Sequence, residues 1–251
     1  MILQCDSISK HFGGLKALSN VSLTLENHEV IGLIGPNGAG KSTFFNVITG
    51  VYGPTSGQVK FLDKDISGLP SHKIVQSGIA RTFQNLRLFS NMTALENVMV
   101  ARHSRTHAGL GSALLHTGKF TREEKQIAEN ARAGLEFVGL LHVGNDLAKN
   151  LAYGLQRRLE IARALATEPT LLLLDEPTAG MNPKECDELI ELIQKIRARN
   201  IAVIIIEHRM HVVMTISDRV VVLDYGEKIA EGKPSEVQRN PKVIEAYLGS
   251  E

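Results

Sequence analysis

The segment that most constrains this chain is Gly35-Pro36-Asn37-Gly38-Ala39-Gly40-Lys41-Ser42, which fits G-x-x-x-x-G-K-[ST]. It follows the apolar run Val30–Ile34 and precedes residues 42–49, whose spacing is helical. Between a strand and a helix, such glycines let successive backbone N–H groups turn inward around phosphate oxygens. The helix N-terminus adds a dipole that favours anions. Asn37, Gly38, Ala39, Gly40 and Thr43 then line the cradle, Lys41 reaches the β- and γ-phosphates, and the Ser42 hydroxyl binds Mg²⁺. A bland glycine-rich turn with an exposed lysine would account for the residues but not for their place between strand and helix.

The rest of the chain supplies the sheet that such a loop needs. Residues 171–174, 201–206 and 220–223 are further short apolar runs, as strands buried on both faces of a parallel sheet are. Residues 185–199 place Leu189, Ile190, Leu192, Ile193 and Ile196 on one helical face, started by Asn182, Pro183 and Glu185 as cap, first-turn proline and capping-box acid. Strands alternating with helices predict an α/β fold. Residues 3–8, 21–25 and 58–62 alternate polar and apolar instead, which predicts an antiparallel lobe. From about residue 91 the pattern turns helical over 94–101 and 122–138, with 104–118 read as loop with room for one helical turn. The expected organisation is one domain over 1–251 with a helical subdomain inserted at about 91–160.

A second chemical feature lies at Leu171-Leu172-Leu173-Leu174-Asp175-Glu176-Pro177. Four leucines bury the strand and leave two carboxylates at its C-terminal end, where ligands of open α/β sheets sit. Asp175 can hold a Mg²⁺ shell and Glu176 can accept a proton from an attacking water. Acids capping a strand end would be the plain alternative, but not beside a phosphate loop. With 28 basic and 27 acidic residues the net charge is +1, which argues against a nucleic-acid partner held by bulk charge. Two cysteines, Cys5 and Cys186, exclude a disulfide framework and suit a reducing compartment. The N-terminus shows no export signal, and no stretch is apolar enough for a membrane span. His103 with His107, and His208 with His211, lack the acidic or cysteine ligands of a zinc site.

Between the loop and the acid pair runs Leu151-Ala152-Tyr153-Gly154-Leu155-Gln156-Arg157-Arg158-Leu159-Glu160-Ile161-Ala162-Arg163-Ala164-Leu165. This resembles the signature sequence and following helix of ABC ATPases, and the resemblance covers about residues 3–249 in the family's order. It implies a P-loop NTPase core with an antiparallel β lobe and an inserted α-helical lobe, hydrolysing ATP with Mg²⁺. Phe12 stands where the adenine-stacking aromatic is expected, and Gln84 at the Q-loop glutamine that contacts Mg²⁺ and water. The segment 178–182 looks like the D-loop, and His208 like the switch histidine that contacts the γ-phosphate. Ala152, Tyr153 and Gly154 would serve the ATP of a second subunit, packed head to tail.

Leu-Ala-Tyr-Gly in the signature, Ala-Gly-Met-Asn-Pro in the D-loop, the long segment after Val100 and the ending 240–249 are similar to one group: the larger ATP-binding subunits of branched-chain amino-acid importers. That implies permease subunits, an indirectly coupled substrate-binding protein, and a peripheral place on the cytoplasmic face of the inner membrane. Relatives serving other amino acids or urea, and exporters of lipid or polysaccharide, share the catalytic motifs. Non-transport ABC ATPases carry coiled-coil insertions or tandem nucleotide domains, neither of which occurs here. A GTPase would need an Asn/Thr-Lys-x-Asp motif, which is missing. The chain departs from its group at Leu155, where glutamine is usual. Residues 101–125 carry five basic side chains against two acidic ones and read either as a solvated loop or as a flap facing headgroups or permease.

Overall fold

The structure is a computed structural model that describes residues 1–102 and 118–248. Residues 104–117 of the expected loop and most of the basic segment therefore lie outside the described residues, and Gly118, the last residue of that expected loop, is helical instead. The chain divides into two compact units, one of Met1–Arg81 with Thr170–Glu251 and one of Thr82–Pro169.

The first unit holds two sheets. Strands β1 (Leu3–Phe12), β2 (Leu15–Leu25), β4 (Ser56–Phe61) and β5 (Lys64–Asp65) form an antiparallel sheet in the order β2-β1-β4-β5. β1 and β2 run longer than the alternation predicts, because Gly13 closes them into a hairpin at a φ of 57°. The larger sheet orders β10 (Glu227–Gly232), β9 (Arg219–Asp224), β3 (Val30–Ile34), β8 (Ala202–Ile206), β7 (Leu171–Asp175) and β6 (Ile79–Arg81). Its pairings are parallel except for β9 with β10. Every residue of β3, β7 and β8 is buried, which is why these strands read as unbroken apolar runs.

Helix α1 (Lys41–Ile48) buries Phe44, Phe45, Val47 and Ile48 in a core cluster shared by both sheets. Helix α2 (Ser71–Ser77) leads into β6, a three-residue edge strand too short to be legible as a pattern. In the second unit, α3 (Ala94–Arg102), α4 (Gly118–Phe137) and α5 (Tyr153–Leu165) pack on one another, with Val98, Ala131, Leu135 and Leu159 buried. This unit is wider than the expected 91–160. Residues 82–90 have no periodicity, yet α5 gathers them: Arg157 donates to Phe83 O at 2.7 Å and to Gln84 O, and Arg163 donates to Arg87 O. Returning to the first unit, α6 (Pro183–Ala198) carries the expected capping box, with Asn182 and Glu185 bonded reciprocally at 3.0 and 2.9 Å. Helices α7 (Met210–Ile216), α8 (Pro234–Val237) and α9 (Pro241–Leu248) complete it.

Candidate active site

The phosphate loop leaves β3 through Gly35 at φ 150°, and α1 starts after Gly40 at φ 99°. A Cβ at Gly35 would lie 2.0 Å from Leu223 O, and one at Gly40 would lie 2.7 Å from Ala17 O, so no other residue fits either corner. No side chain caps the N-terminus of α1. Its first N–H groups are thus left for a ligand, as an anion site requires, while within the loop the Ala39 N–H donates to Pro36 O at 3.2 Å. Lys41 is 6% exposed and donates to Gly35 O at 2.7 Å and Pro36 O at 2.8 Å. Burial pushes its ammonium below the ordinary lysine value, opposed by the charges of Glu176 and Asp175. A cleft of about 620 Å³ opens beside the loop, between Asn37, Gly38 and Ala39 on one side and Tyr225, Lys242 and Glu245 on the other.

Both acids sit at the end of β7, as the leucine run predicts, but in different surroundings. Asp175 is buried and accepts from Arg81 Nη2 at 2.8 Å through Oδ2. Arg81 also donates to Asn46 Oδ1 at 2.7 Å and lies over the Phe45 ring, so Asp175 is tied to α1. Nothing in the sequence points to Arg81. Glu176 is held at φ 47°, a left-handed conformation unusual for a side-chain-bearing residue, and its N–H donates to Ile206 O at 2.9 Å. This places its carboxylate 3.0 Å from His208 Nε2. Non-glycine strain of this kind gathers at functional sites.

Glu207 is a further residue that the sequence reading missed. It is 2% exposed and accepts from Thr178 N at 2.8 Å, Thr178 Oγ1 at 2.7 Å and His208 N at 3.2 Å. The next residue, Arg209, donates to Met181 O at 2.8 Å. Residues 178–182 are therefore pinned to the turn that carries His208. A glutamate directly after the apolar run 201–206 was the available signal, since a buried acid there needs partners. Phe12 is at the tip of β1, 42% exposed, with Tyr52 edge-on at 5.2 Å.

The remaining expected residues belong to the second unit. Gln84 is exposed. Ala152 is the N-cap of α5 and offers no side-chain cap, so the helix presents open N–H groups beside the exposed Tyr153 and the buried Gly154. The Tyr153 hydroxyl accepts from Arg157 at 2.8 Å. Glu160 and Arg157 are both buried in one turn; burial pushes the Glu160 carboxyl above its ordinary value, with Arg157 opposing.

Comparison with known proteins identifies the family. The ABC transporter family model matches residues 18–179, and the model for branched-chain amino acid ATP-binding cassette transporters matches residues 227–251. The chain belongs to the ABC transporter ATP-binding family. It is 49% identical over 249 residues to the high-affinity branched-chain amino acid transport ATP-binding protein LivG of Salmonella typhimurium, covering 99% of this chain and 98% of that protein. The identity and coverage are the same for BraF of Pseudomonas aeruginosa. Among solved structures, the ADP conformation of MJ1267, an ATP-binding cassette of an ABC transporter, gives a TM-score of 0.87 at 37% identity, covering 99% of each chain. The dimeric cassette MJ0796 bound to ADP and Pi gives 0.79 at 26% identity, covering 93% of this chain and 99% of that one. The cassette is thus a nucleotide-binding ATPase whose hydrolysis is coupled to transport. Among the described residues no helix is long and apolar enough to cross a membrane.

Proposed function

We propose that this cassette is the energy-coupling ATPase subunit of an importer of branched-chain amino acids, bound peripherally at the cytoplasmic face of the membrane through permease subunits. The observation that carries the catalytic part is the contact of Glu176 with His208 at 3.0 Å, beside a phosphate loop whose lysine feels both acids. The substrate class is supported by the 49% identity to LivG and BraF and by the match over residues 227–251.

In this reading Asn37 to Ser42 cradle the phosphates, and the Lys41 ammonium leaves its two carbonyls to neutralise charge on the β- and γ-oxygens. Glu176 orients the attacking water and takes its proton, and His208 holds Glu176 and the γ-phosphate in register. The oxygens of Ser42 and Asp175 are hard donors of the kind that Mg²⁺ prefers, and Arg81 fixes the carboxylate that would supply one of them. When bound, the ion would supply charge neutralisation at the β- and γ-phosphates. The open N-terminus of α5 is directed, in a head-to-tail dimer, at the ATP held by the other subunit, identical or paralogous. Shared ATP then closes the dimer and hydrolysis reopens it. Gln84 is proposed to report the permease state. Copurification of the tagged chain with its permease, followed by ATPase assays with and without a loaded substrate-binding protein, tests the assignment. Stimulation by leucine, isoleucine or valine supports it; stimulation by urea or by no amino acid overturns the substrate class.

Leu155 yields a further expectation. It lies half-buried in the first turn of α5, where glutamine is usual. A hydrogen bond to a charged group is worth about 1.5–3 kcal/mol, a ceiling of roughly ten- to a hundredfold in rate; with the backbone donors of α5 already serving the site, Leu155→Gln in the assembled transporter should raise ATPase turnover several-fold. An unchanged rate would assign the position to packing.

A further inference from the structure

The tip of the β1–β2 hairpin holds a cluster that none of the motifs describes. Lys10 and Phe12 are two apart on β1 and so share a face of the strand. The Lys10 ammonium lies 5.2 Å from the Phe12 ring centre and 5.6 Å from that of Tyr52, and donates to Gly53 O at 2.8 Å. The Tyr52 ring meets Phe12 at 80°. Tyr52 is anchored to the phosphate-binding helix: the N–H groups of Val51 and Tyr52 donate to Asn46 O at 2.9 and 3.3 Å. The turn is tied back to β1 through Thr55 N to Ser9 O at 2.8 Å and His11 N to Thr55 Oγ1 at 3.0 Å.

We propose that Lys10 and Tyr52 are positioning residues for the purine base, holding the Phe12 ring at a set orientation and at a set distance from the phosphate loop. The inference rests on the reading of Phe12 as the adenine contact. A ring at the tip of a hairpin next to Gly13 and Gly14 would otherwise sample several rotamers, and ordering it would cost entropy on binding. The ammonium over the ring and the T-shaped contact with Tyr52 restrict it beforehand, and the cation makes the ring a better partner for an electron-rich base. Because Tyr52 hangs from α1, the base platform and the phosphate cradle move together.

The full-length chain is titrated calorimetrically with ATP and with inorganic tripolyphosphate, which has no base. Lys10→Met and Tyr52→Leu should each weaken ATP binding about three- to tenfold and leave tripolyphosphate within about twofold. Lys10→Arg should retain near-wild-type ATP affinity. Parallel losses for both ligands would make the cluster a staple of the hairpin and overturn the proposal. Unchanged ATP affinity in both variants would overturn it too, and Phe12→Ala then separates the causes. Weakened ATP binding in Phe12→Ala would leave the adenine contact standing without its supports, whereas unchanged binding would remove the adenine contact itself.

Discussion

Glu176→Gln is expected to lower ATP turnover by at least about 100-fold, the low end of what a positioned general base contributes, or about 2.7 kcal/mol of barrier. Nucleotide binding should survive, because glutamine keeps the shape and the contact with His208 while losing the ability to take a proton. ATP should therefore trap a closed dimer, visible by size-exclusion chromatography. Lys41→Ala is the contrasting variant. It removes the ammonium that the loop holds between Gly35 O and Pro36 O, and with it charge-assisted bonds to phosphate, so binding itself should fail. Wild-type turnover in Glu176→Gln would remove that residue from the role of base.

The second large effect concerns stability. Arg81 and Asp175 have side chains only 7% and 5% exposed and are paired at 2.8 Å. Taking away one partner of a buried pair leaves a charge in low dielectric, at a cost of about 3–5 kcal/mol. Arg81→Met should lose about that much in urea denaturation monitored by circular dichroism. The double variant Arg81→Met with Asp175→Asn should recover most of it, since the carboxylate charge that Arg81 offsets is then gone as well. A loss below about 1 kcal/mol in the single variant would mean that water or another group satisfies Asp175.

Local patterns were legible wherever one strand or one helix carries its own signal. The run Val30–Ile34 marks β3 to the residue, and Asn182, Pro183 and Glu185 mark the start of α6 with its capping box. β6 escaped because three residues make no pattern; it exists through its pairing with β7. The lower bound of the second unit escaped because residues 82–90 are held by Arg157 and Arg163 from α5 rather than by any preference of their own.

The sequence by itself determined the phosphate loop, the acid pair at a strand end, the alternating α/β order and the family, because each is written in contiguous residues whose spacing follows backbone geometry. Only the tertiary structure decided which side chains meet. Arg81 pairs with Asp175 across 94 residues, Glu176 with His208 across 32, and Glu207 with Thr178 across 29. Parallel strands bring such residues together at the C-terminal edge of the sheet, and the strand order that does so depends on how buried faces pack. Once there, burial makes an unpaired charge costly, so the pairings follow from the sheet and not from any single stretch of chain.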